Sequence, residues 1–260
     1  MKVRCLQWNS DWQDSQANLD RLEEWMRQYM PKERSVDSSA SVLVLPELFT
    51  SGFSMKPEQF SEPLQGVVTT QLSKLAMEYH CYLIAGVAVD EKGAYRNSAL
   101  VFNPDGVLLS HYIKQRSFSY AGENLVYQSG EKTALYEIEG VICASFICYD
   151  LRFPELFRAV AKSAEVIFVI ANWPGSRQSH WEALLKARAI ENQCFIVGVN
   201  RIGTDGNNLT YIGGSMVVNP LGDVIVYASK VDESIDVDLP IDQVKETRTA
   251  MPFLQDMFED

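Results

Sequence analysis

Val141-Ile142-Cys143-Ala144-Ser145-Phe146-Ile147-Cys148-Tyr149-Asp150-Leu151-Arg152-Phe153-Pro154-Glu155 decides how this 260-residue chain is read. The stretch 141–147 is a continuous apolar run, which predicts a strand buried on both faces. Pro154 and Glu155 then open a helical pattern over 156–162, as suits a first helical turn. A buried strand feeding a helix is a building unit of α/β sheets. It sets Cys148 at a strand tip just before a helix N-terminus. There a loop can expose the sulfur, and peptide N–H groups favour a thiolate or a neighbouring oxyanion. The placement nominates Cys148 as a nucleophile, against the plainer alternative of a small buried hydrophobe.

Working outward, strand and helix signals alternate. Strands are predicted at 2–8, 42–45, 82–89, 99–102, 107–113, 135–138, 166–171, 195–200, 214–218, 224–228 and 235–237. Helices are predicted at 16–30, 67–79, 181–191 and 241–248, the first with Leu19, Leu22, Trp25 and Met26 on one side. A polar stretch spans 32–40, Asn103-Pro104-Asp105-Gly106 is a turn, and 172–179 and 204–208 read as loops. No repeat or long linker interrupts the pattern, so residues 1–260 are expected to form one domain. Hairpins mixed with βα units point to mixed sheets covered by helices, a layered α/β sandwich.

Composition narrows the partners. A net charge of −11 without a Lys/Arg stripe argues against nucleic acid. The five cysteines form no CxxC pair, which suits reduced thiols inside a cell. The first residues run directly into a strand with no signal-peptide core, and no apolar run approaches the roughly 20 residues that span a bilayer. A cytoplasmic protein without membrane contact is therefore expected, and Asn208-Leu209-Thr210 is read as an ordinary loop. His80, His111 and His180 are dispersed, so neither a Cys–His dyad nor a metal site is expected.

Three polar residues share the setting of Cys148. Glu47 follows Leu45-Pro46 at a strand exit, Lys114 ends the strand at 107–113, and Asn172 ends the strand at 166–171. Alone, each is an ordinary strand-end residue. If the strands run side by side, all four gather at one rim, where α/β sheets collect ligands. A carboxylate there can take the thiol proton and later activate water, while the sulfur attacks a carbon bearing nitrogen. The ammonium and the Tyr149 N–H can hold the oxyanion, and the cation is expected to lower the thiol pKa.

In this order, Pro46-Glu47, Lys114 and the block from Cys148 to Glu155 resemble the three signatures of the nitrilase, or carbon–nitrogen hydrolase, superfamily. The similarity continues through Ala171-Asn172-Trp173-Pro174, His180-Trp181, 188–193 and Asn219-Pro220-Leu221-Gly222, and so covers nearly the whole chain. The resemblance implies a four-layer αββα sandwich of two mixed sheets covered by helices, with no cofactor. It implies Glu47 as base, Lys114 as oxyanion stabiliser and Cys148 as nucleophile. It also implies a second glutamate nine residues after the lysine, where Glu123 stands, orienting Lys114 or sharing its proton transfers.

The Cys148 block looks most like the omega-amidase branch. That likeness implies a small-molecule substrate, a short dicarboxylate monoamide such as 2-oxoglutaramate or 2-oxosuccinamate, cleaved to the acid and ammonia through a cysteine thioester. The alternatives are a relative acting on N-carbamoyl compounds or nitriles, or a non-catalytic binding protein on the same scaffold. Relatives follow the lysine, after one residue, with His-Leu-Phe. Here Arg116 and Ser117 depart from that pattern while Phe118 keeps it, which puts pocket shape in question.

Around this core, Phe118 and Tyr149 are expected near the substrate, and Phe53, Tyr120 and Trp173 could line the pocket. Arg152 either meets a substrate carboxylate or pairs with Asp150 or Glu155. Glu182 reads as a helix-surface carboxylate. Arg188 and Glu191 should pair at i,i+3. The helix at 181–191 is implied, again by resemblance, to contribute to a homodimer.

Overall fold

A computed structural model describes residues 1–30, 41–229 and 234–257. The polar stretch at 32–40 lies outside the described residues. Strands come in chain order as β1 (Lys2–Leu6), β2 (Val42–Val44), β3 (Tyr82–Glu91), β4 (Ala94–Phe102), β5 (Leu108–Ile113), β6 (Leu135–Ile138) and β7 (Val141–Ile147). They continue as β8 (Val166–Ala171), β9 (Phe195–Asn200), β10 (Ile202–Thr204), β11 (Thr210–Ile212), β12 (Met216–Val218), β13 (Val224–Tyr227) and β14 (Ser234–Asp238). The α-helices are α1 (Ser15–Tyr29), α2 (Val67–Glu78), α3 (Pro154–Arg158), α4 (Gln178–Asn192) and α5 (Asp242–Ala250).

Two six-stranded sheets result, ordered β14-β1-β2-β3-β4-β5 and β13-β12-β9-β8-β7-β6, with β10 and β11 as a separate hairpin. In each sheet three central strands are parallel and the outer pairings are antiparallel. The side-chain alternation of a strand explains the layering. In β2 and the residue after it, Val42 and Val44 face the second sheet, whereas Leu43 and Leu45 pack with Leu19, Leu22 and Met26 of α1 and Leu72 and Leu75 of α2. Strands β7, β8 and β9 are apolar on both faces because the first sheet covers one side and helices the other; Leu156 and Phe157 of α3 and Leu185 and Ala189 of α4 join their core. The order is helices, sheet, sheet, helices, the αββα sandwich expected.

Local departures have physical causes. Strand β4 begins five residues before the expected 99, because Ala94–Asn97 pair with Ala88–Glu91 although their side chains are largely polar. The helical pattern at 156–162 shrinks to α3, preceded by a 3₁₀ turn over Cys148–Arg152 and followed by turns. Helix α4 starts at Gln178, inside the stretch read as a loop.

Register brings the strand ends together. Ile147 pairs with Ile170, so Cys148 lies level with Ala171 and beside Asn172. Ile113 pairs with Ser98, so Lys114 lies level with Asn97, and its N–H donates to the Asn97 carbonyl at 2.9 Å.

Candidate active site

Glu47 leaves β2 through Leu45-Pro46 and is fully buried. Its exit crosses β3 at Gly86, whose N–H donates to the Pro46 carbonyl at 3.2 Å. A Cβ at Gly86 would stand 2.5 Å from Glu47 Cα and 2.5 Å from the Pro46 oxygen, so only glycine lets the two backbones approach. The carboxylate is fixed at both oxygens. Oε1 accepts from Lys114 Nζ at 2.8 Å and Asn97 Nδ2 at 2.7 Å; Oε2 accepts from the Asn172 N–H at 2.9 Å.

Glu123 lies on the other side of the ammonium. Its Oε2 accepts from Lys114 Nζ at 2.9 Å and from the Phe118 N–H at 2.6 Å; its Oε1 accepts from Lys114 at 3.0 Å and Asn97 Nδ2 at 2.9 Å. One Asn97 amide therefore ties both carboxylates together. All of these side chains are buried. Burial alone would drive the Lys114 pKa down, but the charges of Glu123 and Glu47 outweigh it, and the ammonium is held well above its ordinary range.

Cys148 adopts a φ of +45°, the left-handed region that a non-glycine residue enters at a cost of order 1 kcal/mol or more. The turn is braced by Asp150, which is fully buried. Asp150 Oδ2 accepts from the Ile147 N–H at 3.0 Å and the Tyr112 hydroxyl at 2.7 Å, and Oδ1 from the Arg116 N–H at 2.9 Å. Asp150 thus links the Cys148 turn to the segment carrying Lys114. Arg188 supports the same turn from α4, donating from Nε and Nη2 to the Leu151 carbonyl at 3.2 and 2.7 Å and pairing with Glu191 at 2.9 Å as expected.

The thiol does not behave as the sequence suggested. Burial raises its pKa first, the Glu47 and Glu123 charges raise it further, and the Lys114 cation offsets only part. With two carboxylates against one ammonium, the resting sulfur keeps its proton. The expected lowering by the cation is present but is outweighed by burial and the two carboxylates.

Lys114 and Cys148 open onto a cavity of about 270 Å³. Phe53, Phe118, Tyr149, Arg152 and Trp173 line it. Tyr120 does not, and it is 89% exposed. Arg116 and Ser117 are also absent from the lining: Arg116 turns to Glu155 at 3.2 Å, and the Ser117 hydroxyl meets that of Ser129 at 2.8 Å. The departure at these two positions therefore leaves the wall intact. Arg152 pairs with neither Asp150 nor Glu155; its guanidinium lies 4.8 Å over Trp173 and donates toward His180 Nδ1 at 3.1 Å. Glu182 stays on the helix surface, accepting from Tyr227 and Gln178 at 2.9 and 3.1 Å.

Several residues escaped sequence reasoning. Asn97 sat just outside the expected strand; an Asn flanked by a strand's apolar run was its only signal. Arg177 also lines the cavity, 5.4 Å over Phe118, and nothing in a polar loop marks it. Asn200 is the last residue of β9, next to the Asn172 that follows β8, and clamps Trp173 by accepting its N–H at 2.7 Å and donating to its carbonyl at 2.9 Å. Among the described residues no group of acidic, Cys or His side chains could hold a metal, and no helix is long and apolar enough to cross a membrane.

A sandwich of this kind, with a buried Glu–Lys pair beside a half-buried Cys at its strand ends, defines a class, the nitrilase superfamily. Residues 2–249 match the carbon-nitrogen hydrolase family, and the chain belongs to that family. It is 35% identical to the omega-amidase YafV of Escherichia coli, over 100% of this chain and 97% of that one. It is 30% identical to the 2-oxoglutaramate amidase of Bacillus subtilis, over 99% and 98% of the two chains. Its fold superposes with a TM-score of 0.92 on a CN-hydrolase superfamily protein of Xanthomonas campestris, at 29% identity over 100% and 98% of the chains. The chain is thus an amide-hydrolysing enzyme of the nitrilase superfamily.

Proposed function

We propose that the enzyme hydrolyses the terminal amide of a short dicarboxylate monoamide, such as 2-oxoglutaramate or 2-oxosuccinamate, through a thioester on Cys148. The carrying observation is a charged Lys114 held between Glu47 and Glu123 at 2.8 to 3.0 Å, beside Cys148 and beneath a cavity bearing Arg152. Similarity to an omega-amidase and to a 2-oxoglutaramate amidase supports the same choice.

Glu47 takes the thiol proton as sulfur attacks the amide carbon, which suits a sulfur that is protonated at rest. Lys114 and the Tyr149 N–H stabilise the oxyanion. The protonated Glu47 gives its proton to the leaving nitrogen, the C–N bond breaks and ammonia departs, leaving the thioester. Water then loses a proton to Glu47 and attacks the same carbon; the C–S bond breaks, and sulfur regains the proton. Glu123 orients Lys114 throughout. The Arg152 guanidinium meets the substrate's free carboxylate, with Phe118 and Trp173 packing its carbon chain.

We infer in addition one domain over 1–260, supported by the family match to 2–249, and a reducing cytoplasmic setting, supported by five free cysteines. A homodimer through α4 is also inferred: Ile190, Leu221 and Ile225 expose apolar surface on that side.

The test is ammonia release from a panel of oxo-acid monoamides, glutamine analogues, N-carbamoyl compounds and nitriles. Turnover should be greatest on the oxo-acid monoamides and absent in Cys148→Ala, while Glu47→Gln should accumulate no thioester by mass spectrometry. Activity confined to nitriles or carbamoyl compounds, or ammonia release by Cys148→Ala at the parent rate, would reject the proposal.

A further inference from the structure

Arg152 and Arg177 line the same cavity, and among the described residues neither has a carboxylate partner. Each is instead laid over an aromatic ring, Trp173 at 4.8 Å and Phe118 at 5.4 Å. Stacking fixes the plane of a guanidinium while leaving its N–H edges free to bind oxygen. Both supports are themselves anchored. The Trp173 indole N–H donates to the Arg177 carbonyl at 2.8 Å, and the Phe118 N–H donates to Glu123 at 2.6 Å. Arg177 is thus held by the same residues that frame the catalytic cluster.

A monoamide of a dicarboxylic acid carries one charge, which one guanidinium can match bidentately. A second guanidinium without a carboxylate partner, in a small and largely apolar cavity, has donors that a further oxygen acceptor on the ligand would satisfy. Building on the amidase reading above, we propose that Arg177 is a specificity-determining residue that binds the carbonyl oxygen next to the substrate's carboxylate. The pair together would select a 2-oxo acid end over a simple acid and over an amino acid, whose ammonium would meet two cations.

The experiment compares kcat/KM for 2-oxoglutaramate, glutaramate (the same acid without the oxo group) and neutral pentanamide, in the wild-type enzyme and in Arg177→Gln and Arg152→Gln. Circular dichroism and melting curves establish that each variant is folded. Arg177→Gln should cut the preference for 2-oxoglutaramate over glutaramate at least tenfold, mainly through KM, with partial rescue in Arg177→Lys. Arg152→Gln should weaken both acids relative to pentanamide. Equal losses on both acids in Arg177→Gln, or no loss, would overturn the proposal.

A second arm separates this outcome from failure of the amidase reading itself. If the wild-type enzyme hydrolyses neither acid, that reading falls. Arg177 is then judged by how well 2-oxoglutarate and glutarate protect Cys148 from iodoacetamide. Stronger protection by the oxo acid, lost in Arg177→Gln, sustains the assignment; equal protection, or no change in the variant, ends it.

Discussion

Adding one methyl group at Gly86 should disable the enzyme without unfolding it. The new Cβ would lie 2.5 Å from Glu47 Cα, 2.5 Å from the Pro46 oxygen and 2.6 Å from the Leu48 nitrogen. All three neighbours are backbone atoms, so no side chain can swing aside. Restoring contacts of roughly 3.5 Å means displacing the Glu47 segment from β3 by about 1 Å. That segment carries a carboxylate whose bonds to Lys114, Asn97 and Asn172 are all between 2.7 and 2.9 Å. A misplacement of about 1 Å at reacting groups costs on the order of a hundredfold in rate, about 2.7 kcal/mol of barrier. Overpacking should lower stability by about 1–3 kcal/mol.

The assay is steady-state ammonia release by Gly86→Ala together with a denaturant melt. Gly93→Ala serves as the control, because its φ is +88° and its Cβ would meet nothing within 4 Å. It should lose about 1 kcal/mol of stability and keep its rate. A Gly86→Ala enzyme with parental kcat would refute the claim that close backbone approach positions Glu47, the proposed base.

Two further outcomes follow from the electrostatics. Because the Cys148 thiol is raised, its alkylation by iodoacetamide should accelerate with pH above neutrality, and Glu123→Gln, which removes one negative charge, should move that rise to lower pH; a rate flat from pH 6 to 8 would count against the protonated resting sulfur. Burial pushes the Asp150 carboxyl from its ordinary 3.8 up to about 6. Its contribution to stability is therefore present below about pH 4 and is lost as pH rises through 6. The stability of wild type minus that of Asp150→Asn should accordingly fall by up to about 3 kcal/mol between pH 4 and 7 in urea titrations, and a pH-independent difference would exclude a raised Asp150.

Much of this molecule was legible in its letters. Continuous apolar runs such as 166–171 announced strands covered on both sides, and the polar residues interrupting them, Glu47, Lys114, Cys148 and Asn172, marked one rim. Asn97 was not legible as a site residue, because its value lies in two carboxylates 50 and 26 positions away that only the pairing of β4 with β3 on one side and β5 on the other brings near. Arg177 was hidden for the opposite reason, since a loop has no period to betray which way a side chain points. The two sheets share one order of parallel and antiparallel pairings, yet no sequence repeat was visible. Sheet pairing demands a pattern of apolar residues and leaves their identities free. The thiol's protonation was misjudged because it is set by burial first and then by three charges, none of which sequence proximity singles out.

Glu47, Asn97, Lys114 and Glu123 all hang from the first sheet or the segment leaving it, whereas Cys148, Arg152, Trp173 and Arg177 belong to the second. Neither half owns a working centre. The seam between two apolar slabs is what sets Cys148 against Glu47 and Lys114, so turnover gauges whether the slabs are seated, and a slip of an atom's width should silence the enzyme while every strand remains intact.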